Sequence, residues 1–228
     1  MHALPVLVAL GGSDCERLGA GWLAQPVNAV SSLAYVAVGA SLLLRADHPG
    51  ESRGLLVAAG LAIAGVGAGS VAYHGPQPAW AGLAHNGSIV GLALVIIGHN
   101  VWLVAEDGPR RAVGYAASVV AVPILLATGR ERLSLGVLVA AVLAGAVLAH
   151  PSAGTKASLR AWKTAGLWMT AALAAYAGGR TTSRLCRPDS LGQLHAVWHV
   201  LSALGLGAAI IGFSARSRPV RRHRAAVR

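Results

Sequence analysis

The sequence predicts an all-α polytopic membrane protein, a single seven-transmembrane helix bundle over residues 1–228 with the N-terminus outside and the C-terminus cytoplasmic. Three observations predict it. Of the 228 residues, 55% are hydrophobic and 12% charged, with a mean hydropathy of +0.59, a balance foreign to an ordinary soluble domain. The apolar residues fall in runs of about 17–25, long enough to cross a bilayer as helices. The basic residues punctuate and follow these runs, and 6 of the 19 lie in the tail 214–228, as expected of a helix end held on the cytoplasmic side. The net charge of +11 therefore reports membrane orientation, not nucleic-acid binding.

Residues 1–25 read as an extracytoplasmic segment. The short apolar run at 3–10 lacks a basic flank and continues into GGSDCE, unlike a cleaved leader. Seven spans follow, at 26–44, 54–74, 82–104, 112–128, 133–149, 164–179 and 194–213. Arg45, Arg53, Arg110, Arg111, Arg130 and Arg132 mark helix ends. Gly108-Pro109 and His150-Pro151 punctuate turns. No tandem repeat or linker divides the chain. With the N-terminus outside, 13 Lys and Arg fall on inner segments and 6 on outer ones, which the positive-inside rule favours. The expected location is the plasma (inner) membrane.

That topology brings four histidines to one level. His74 ends the second span, His85 opens the third, and His195 and His199 open the seventh. On a helix, residues four apart stack on one face with Cβ atoms roughly 5–6 Å apart, so His195 and His199 can grip one metal ion. Catalytic zinc takes three protein ligands and keeps a further position open, so the pair calls for a third ligand from another helix. Ionisable groups gathered at one depth in a membrane bundle mark a site. His99 falls about 21 Å deeper than His85 at 1.5 Å per residue. His2, His48, His150 and His223 lie in loops, termini or at the inner end. The two cysteines, Cys15 and Cys186, both fall on the outer side, where an oxidising compartment permits a disulfide.

Four segments together resemble the alkaline ceramidases and the wider superfamily of seven-transmembrane hydrolases that includes the adiponectin-type receptors. They are Cys15-Glu16 with WLAQPVNAVSSLAY at 22–35, GVGAGSVAYH at 65–74, AHNGS at 84–88, and LCRPDSLGQLHAVWHVLSALG at 185–205. The resemblance implies a zinc ion held by His74, His195 and His199 at the extracytoplasmic end. It implies Ser70 as the group that stabilises the reacting carbonyl. The implied reaction is hydrolysis of the amide bond of a ceramide-like membrane lipid to a fatty acid and an amine. Ser70 and His74 stand at i and i+4, on one helix face. Ser70 also belongs to a strip of small residues with Gly65, Gly67 and Gly69, of the kind membrane helices pack through.

Two departures from the family pattern stand out. The family places an Asp at the start of the third helix, where this chain has His85-Asn86 and carries no Asp or Glu between Glu51 and Glu106. Either His85 or Asn86 takes that place. The family's calcium site finds only a partial match in Asp14 and Glu16, with Gln25 where a Glu is usual, so calcium is a weak expectation. Two other functions compete with the hydrolase. One is a receptor or sensor with a structural zinc, which a fourth ligand such as His85 would close. The other is a haem protein, against which the His195/His199 spacing argues because axial ligands approach a haem from opposite faces.

Overall fold

The computed structural model describes residues 10–47, 52–104 and 156–214. Its helices are α1 (Pro26–Ser31), α2 (Leu33–Arg45), α3 (Arg53–His74), α4 (Ala81–Val104), α5 (Lys156–Gly178) and α6 (Leu194–Ser214). The described residues form no sheet, only an isolated antiparallel bridge between Asp14 and Arg180. Among the described residues, four stretches are long and apolar enough to cross a membrane: Pro26–Arg45, Arg53–His74, Ala81–His99 and Leu194–Ser214. They correspond to the first, second, third and seventh expected spans. The expected sixth, 164–179, falls on α5, which begins earlier, at Lys156. Lys156, Arg160 and Lys163 stand in its first turns, so the helix forms without the apolarity of the other four. The expected spans at 112–128 and 133–149 lie outside the described residues, as do His2, His48, His150, His223 and the tail from residue 215.

The first expected span is hydrogen-bonded as two helices. Gln25 at the N-cap gives α1 no side-chain cap, and Pro26 follows it. The cap comes instead from Glu16, whose Oε1 and Oε2 accept the N–H groups of Val27 and Asn28, each at 2.8 Å. A carboxylate there satisfies two donors that have no partner within the helix and meets the positive end of its dipole. Pro26 has no N–H to satisfy. The α1–α2 join at Ser32 keeps helical angles, φ −60° and ψ −23°. Ser31 and Ser32 turn their hydroxyls back onto the Asn28 carbonyl at 2.9 and 2.7 Å, a competition with the backbone ladder that interrupts helices.

Lipid chains are as apolar as leucine, so close backbone approach rather than apolar burial holds membrane helices together. Glycine makes that approach possible here. A Cβ on Gly39 would stand 2.5 Å from the Gly60 carbonyl oxygen, and one on Gly67 2.9 Å from the Val36 nitrogen, which fixes α2 against α3. A Cβ on Gly69 would stand 2.9 Å from the Ala84 oxygen, which fixes α3 against α4. Gly205 and Gly212 on α6 face Met169 and Trp162 of α5. The interior between these helices is filled by Leu42, Leu56, Ile63, Leu92, Ile96, Ile210 and Phe213. His99 packs edge-on to Phe213 at 5.6 Å, at the far end of α6 from His195.

The end of the bundle where α3 stops and α6 starts is covered by residues 10–25. A disulfide joins Cys15 to Cys186, with Cα atoms 5.4 Å apart, as the sequence led us to expect. Around it the backbone pairs Cys15 N–H with Gly179 O at 2.8 Å and Arg17 N–H with Pro188 O at 3.0 Å. The Arg17 guanidinium grips both oxygens of Asp189 at 2.6 and 2.8 Å. That exposed partnership raises the Arg17 pKa and lowers that of Asp189.

Candidate metal centre

His74 is the last residue of α3, and His195 and His199 occupy the first turns of α6. Because α3 and α6 lie against one another, their ends bring the three imidazoles together. Ring centroids are 5.2 Å apart for His74 and His195, 5.1 Å for His74 and His199, and 4.6 Å for His195 and His199. One nitrogen from each ring lies within 4.8 Å of the other two, and the side chains are 1%, 3% and 2% exposed in that order. This is the one group of three potential metal-ligating side chains among the described residues.

His74 and His199 hydrogen-bond through Nδ1 to the segment before α2, while His195 Nδ1 lies near Asp14 without a hydrogen bond. His74 Nδ1 lies 2.6 Å from Gln25 Oε1. His199 Nδ1 lies 2.9 Å from Ser31 Oγ and 3.2 Å from the Asn28 carbonyl oxygen. His195 Nδ1 stands 3.4 Å from Asp14 Oδ1, itself held at 2.7 Å by Arg180 Nη1. An imidazole that donates from Nδ1 keeps a lone pair at Nε2. Histidine metal ligands are oriented in this way by carboxylates and carbonyls beyond them. Three buried imidazoles that bring one nitrogen each within 4.8 Å of the other two could hold a metal ion, so the residues present fit one. An all-imidazole donor set suits zinc or a neighbouring first-row divalent ion rather than calcium or magnesium.

The other expected site residues take distinct places. Ser70 is 1% exposed, and its Oγ lies 2.9 Å from Ser32 Oγ. Ser32 Oγ is in turn 3.3 Å from His199 Nδ1, so a chain of hydroxyls runs from Ser70 to the centre. His85 is buried beside the cluster, its centroid 6.4 Å from that of His74, and stacks on Tyr73 at 4.6 Å. It does not belong to the three-nitrogen group. Asn86, only partly buried, places its Oδ1 3.2 Å from His85 Nδ1. Of these two residues, His85 sits beside the three-histidine cluster and Asn86 hydrogen-bonds to it.

Asp14 and Glu16, the residues the resemblance linked to calcium, are engaged in contacts within the protein. Asp14 joins Arg180 to His195, and both Glu16 oxygens cap α1. The nearby Gln25 presents an amide nitrogen, not an oxygen, to Gly11 O and Glu16 O. The two carboxylates gather no group of three potential metal ligands. Residue-by-residue reading missed Asn28, Ser31 and Ser32 as partners of the histidines and treated Gln25 only as a departure. Their one signal was position, in the polar stretch that opens the first span. The chain matches no protein-family model and no curated protein, so the chemistry of the centre rests on its own side chains.

Proposed function

We propose that this protein is a zinc-dependent intramembrane hydrolase that cleaves the amide bond of a ceramide-like lipid to a fatty acid and an amine. The reading includes the seven-helix topology, with the N-terminus outside, the C-terminus cytoplasmic, and the site toward the extracytoplasmic face of the plasma (inner) membrane. One observation carries it: three buried histidines converge at one end of an apolar bundle, and two of them, His74 and His199, have Nδ1 already turned to another partner. His74, His195 and His199 would hold the zinc, which when bound supplies Lewis acidity toward an amide carbonyl and a water molecule. The ligand set favours an open centre over a structural one, because His85 stands outside it. Rings 4.6–5.2 Å apart also leave no room for a porphyrin between them.

The remaining roles follow from hydrogen-bonding capacity. Ser32 has one hydroxyl proton and two acceptors, Asn28 O at 2.7 Å and Ser70 Oγ at 2.9 Å. When Ser32 donates to Ser70, the Ser70 proton is free for the substrate's carbonyl oxygen. His85, beside the cluster and hydrogen-bonded to Asn86, is the imidazole placed to accept a proton from the attacking water and to deliver it to the leaving nitrogen. The C–O bond from water forms first, with the charge that builds on the carbonyl oxygen met by Ser70; the C–N bond then breaks, and the proton taken from water ends on the leaving amine. A lipid reaches the site from the bilayer, without leaving it.

Metal analysis of the purified chain, combined with a screen of acylated lipids for fatty-acid release, tests this. The expected result is about one zinc per chain and release of fatty acid from an amide-linked lipid, both lost in His195→Ala. Zinc without cleavage of any lipid amide would replace the hydrolase with a sensor holding a structural metal. A chain without metal ends both readings.

A further inference from the structure

Gln25 is fully buried, and both its amide N–H donors and its carbonyl oxygen are engaged in one direction-specific arrangement. Its Nε2 donates to Gly11 O at 3.0 Å and to Glu16 O at 2.8 Å. Two backbone carbonyls can only accept, so the amide nitrogen must face them and Oε1 must face the other way. Oε1 is the atom 2.6 Å from His74 Nδ1, and an oxygen that can only accept requires a hydrogen on that nitrogen. The backbone adds its own bond beside this one, from Gln25 N–H to the His74 carbonyl at 2.7 Å. The space is shaped for the carboxamide: Gly11 has φ +75°, and a Cβ there would stand 2.3 Å from Gln25 Oε1. A left-handed backbone and a missing side chain both serve to let Gln25 sit where it does.

We infer that Gln25 is a positioning residue for the metal centre: held by the Gly11 and Glu16 carbonyls, it fixes His74 as the Nδ1–H tautomer and aims its Nε2 at the ion. The inference rests on the zinc reading above and adds the residue that sets the first ligand's protonation site. Ser31 stands in the same relation to His199 but is not itself locked by two acceptors, and Asp14 approaches His195 Nδ1 without a hydrogen bond. Gln25 is also the buried link through which residues 11–16 act on α3. A glutamate here would face two carbonyls with no proton to offer unless protonated, whereas a methionine would keep the volume and lose every hydrogen bond.

Two measurements on the full-length chain in detergent test the inference. Zinc affinity is read by competition with a chromophoric chelator, for the wild type, Gln25→Met and Gly11→Ala. Loss of a partner that orients a metal-ligating histidine costs about 10–100-fold in affinity, and that is the weakening expected in both variants. The visible spectrum of the cobalt-substituted protein should change with it, because His74 is free to rotate. The second measurement needs no variant that could misfold: 15N NMR of histidine-labelled, metal-free wild type should show His74 as the Nδ1–H tautomer, its signal identified by its absence in His74→Gln. Wild-type zinc binding with an unchanged affinity in Gln25→Met overturns the inference alone, as does an Nε2–H tautomer at His74. A wild type that takes up no zinc defeats the metal reading, and the inference falls with it.

Discussion

Asp14 Oδ1 accepts from Arg180 Nη1 at 2.7 Å while standing 3.4 Å from His195 Nδ1. One buried carboxylate therefore ties the segment before α1 to the end of α5 and to a candidate metal ligand. The pair is well removed from solvent, with side chains 1% and 13% exposed for Asp14 and Arg180. Arg180 also lies over the Tyr176 ring at 5.1 Å, a cation–π contact that adds to its anchoring.

Removing one member of such a pair leaves the other charge buried, which typically costs about 3–5 kcal/mol. Asp14→Asn should therefore lower stability by about 3 kcal/mol, near the lower bound because Arg180 keeps some solvent access. The double variant Asp14→Asn, Arg180→Met should lose less than the sum of the two single changes. Denaturant unfolding in detergent measures all three. Additive losses would mean that the two side chains do not depend on each other.

The metal centre makes its own prediction for stability. A ligand that binds only the folded chain stabilises it by about 2.7 kcal/mol at a concentration one hundred times its dissociation constant. Added zinc should raise the unfolding temperature of the wild type and leave His195→Ala and His199→Ala unmoved. Full zinc occupancy in a triple variant lacking His74, His195 and His199 would falsify the assignment.

Much of this was legible in the sequence because it is periodic or local. Apolar runs marked the spans that α1 to α4 and α6 realise, and four-residue spacing placed His195 with His199 and Ser70 with His74. Counting charges put Cys15 and Cys186 on one side, where the disulfide forms. What stayed hidden depends on tertiary contact. Ser31 meets His199 across 168 positions and Gln25 meets His74 across 49, and neither spacing leaves a pattern in a single sequence. The first helical turns of α5 escaped for a different reason: Lys156, Arg160 and Lys163 interrupt the apolar run that revealed the rest.

The Cys15–Cys186 disulfide closes a loop with a sequence separation of 171 and anchors the segment that carries Asp14 and Glu16. Thiol labelling of the denatured, unreduced chain should find no free cysteine. Removal of a bond of this kind costs about 2–5 kcal/mol in small secreted domains, and Cys15→Ser should fall in that range. Because Asp14 is its neighbour, the same variant should also bind zinc more weakly. Zinc affinity equal to that of the wild type would separate the latch from the metal centre.

Orientation can be tested independently of chemistry. If the proposed topology holds, with 13 Lys and Arg on the segments it places inside and 6 on those it places outside, a C-terminal reporter that works only in the cytoplasm should be active. The same reporter placed before residue 10 should be silent. The reverse pattern would put the metal centre on the cytoplasmic side and remove the extracytoplasmic reading.

The last prediction concerns the proton. Hydrolysis of an amide needs a group that takes a proton from water and returns it to the leaving nitrogen, and such help is typically worth 10²–10⁴ in rate. Among the described residues near the cluster, His85 can do this: it stacks on Tyr73 and stands outside the three-histidine group that could hold a metal. His85→Ala should then retain zinc and lose hydrolysis by about 10²–10⁴-fold. Asn86 cannot exchange a proton, but its Oδ1 faces His85 Nδ1 at 3.2 Å, so Asn86→Asp would put a stronger acceptor on the same nitrogen. The expected result is faster hydrolysis in Asn86→Asp, and no gain when that change is made together with His85→Ala. A gain that survives the loss of His85 would mean that the new carboxylate acts on the water itself. A robust rate untouched by either change would place the proton transfer on another group.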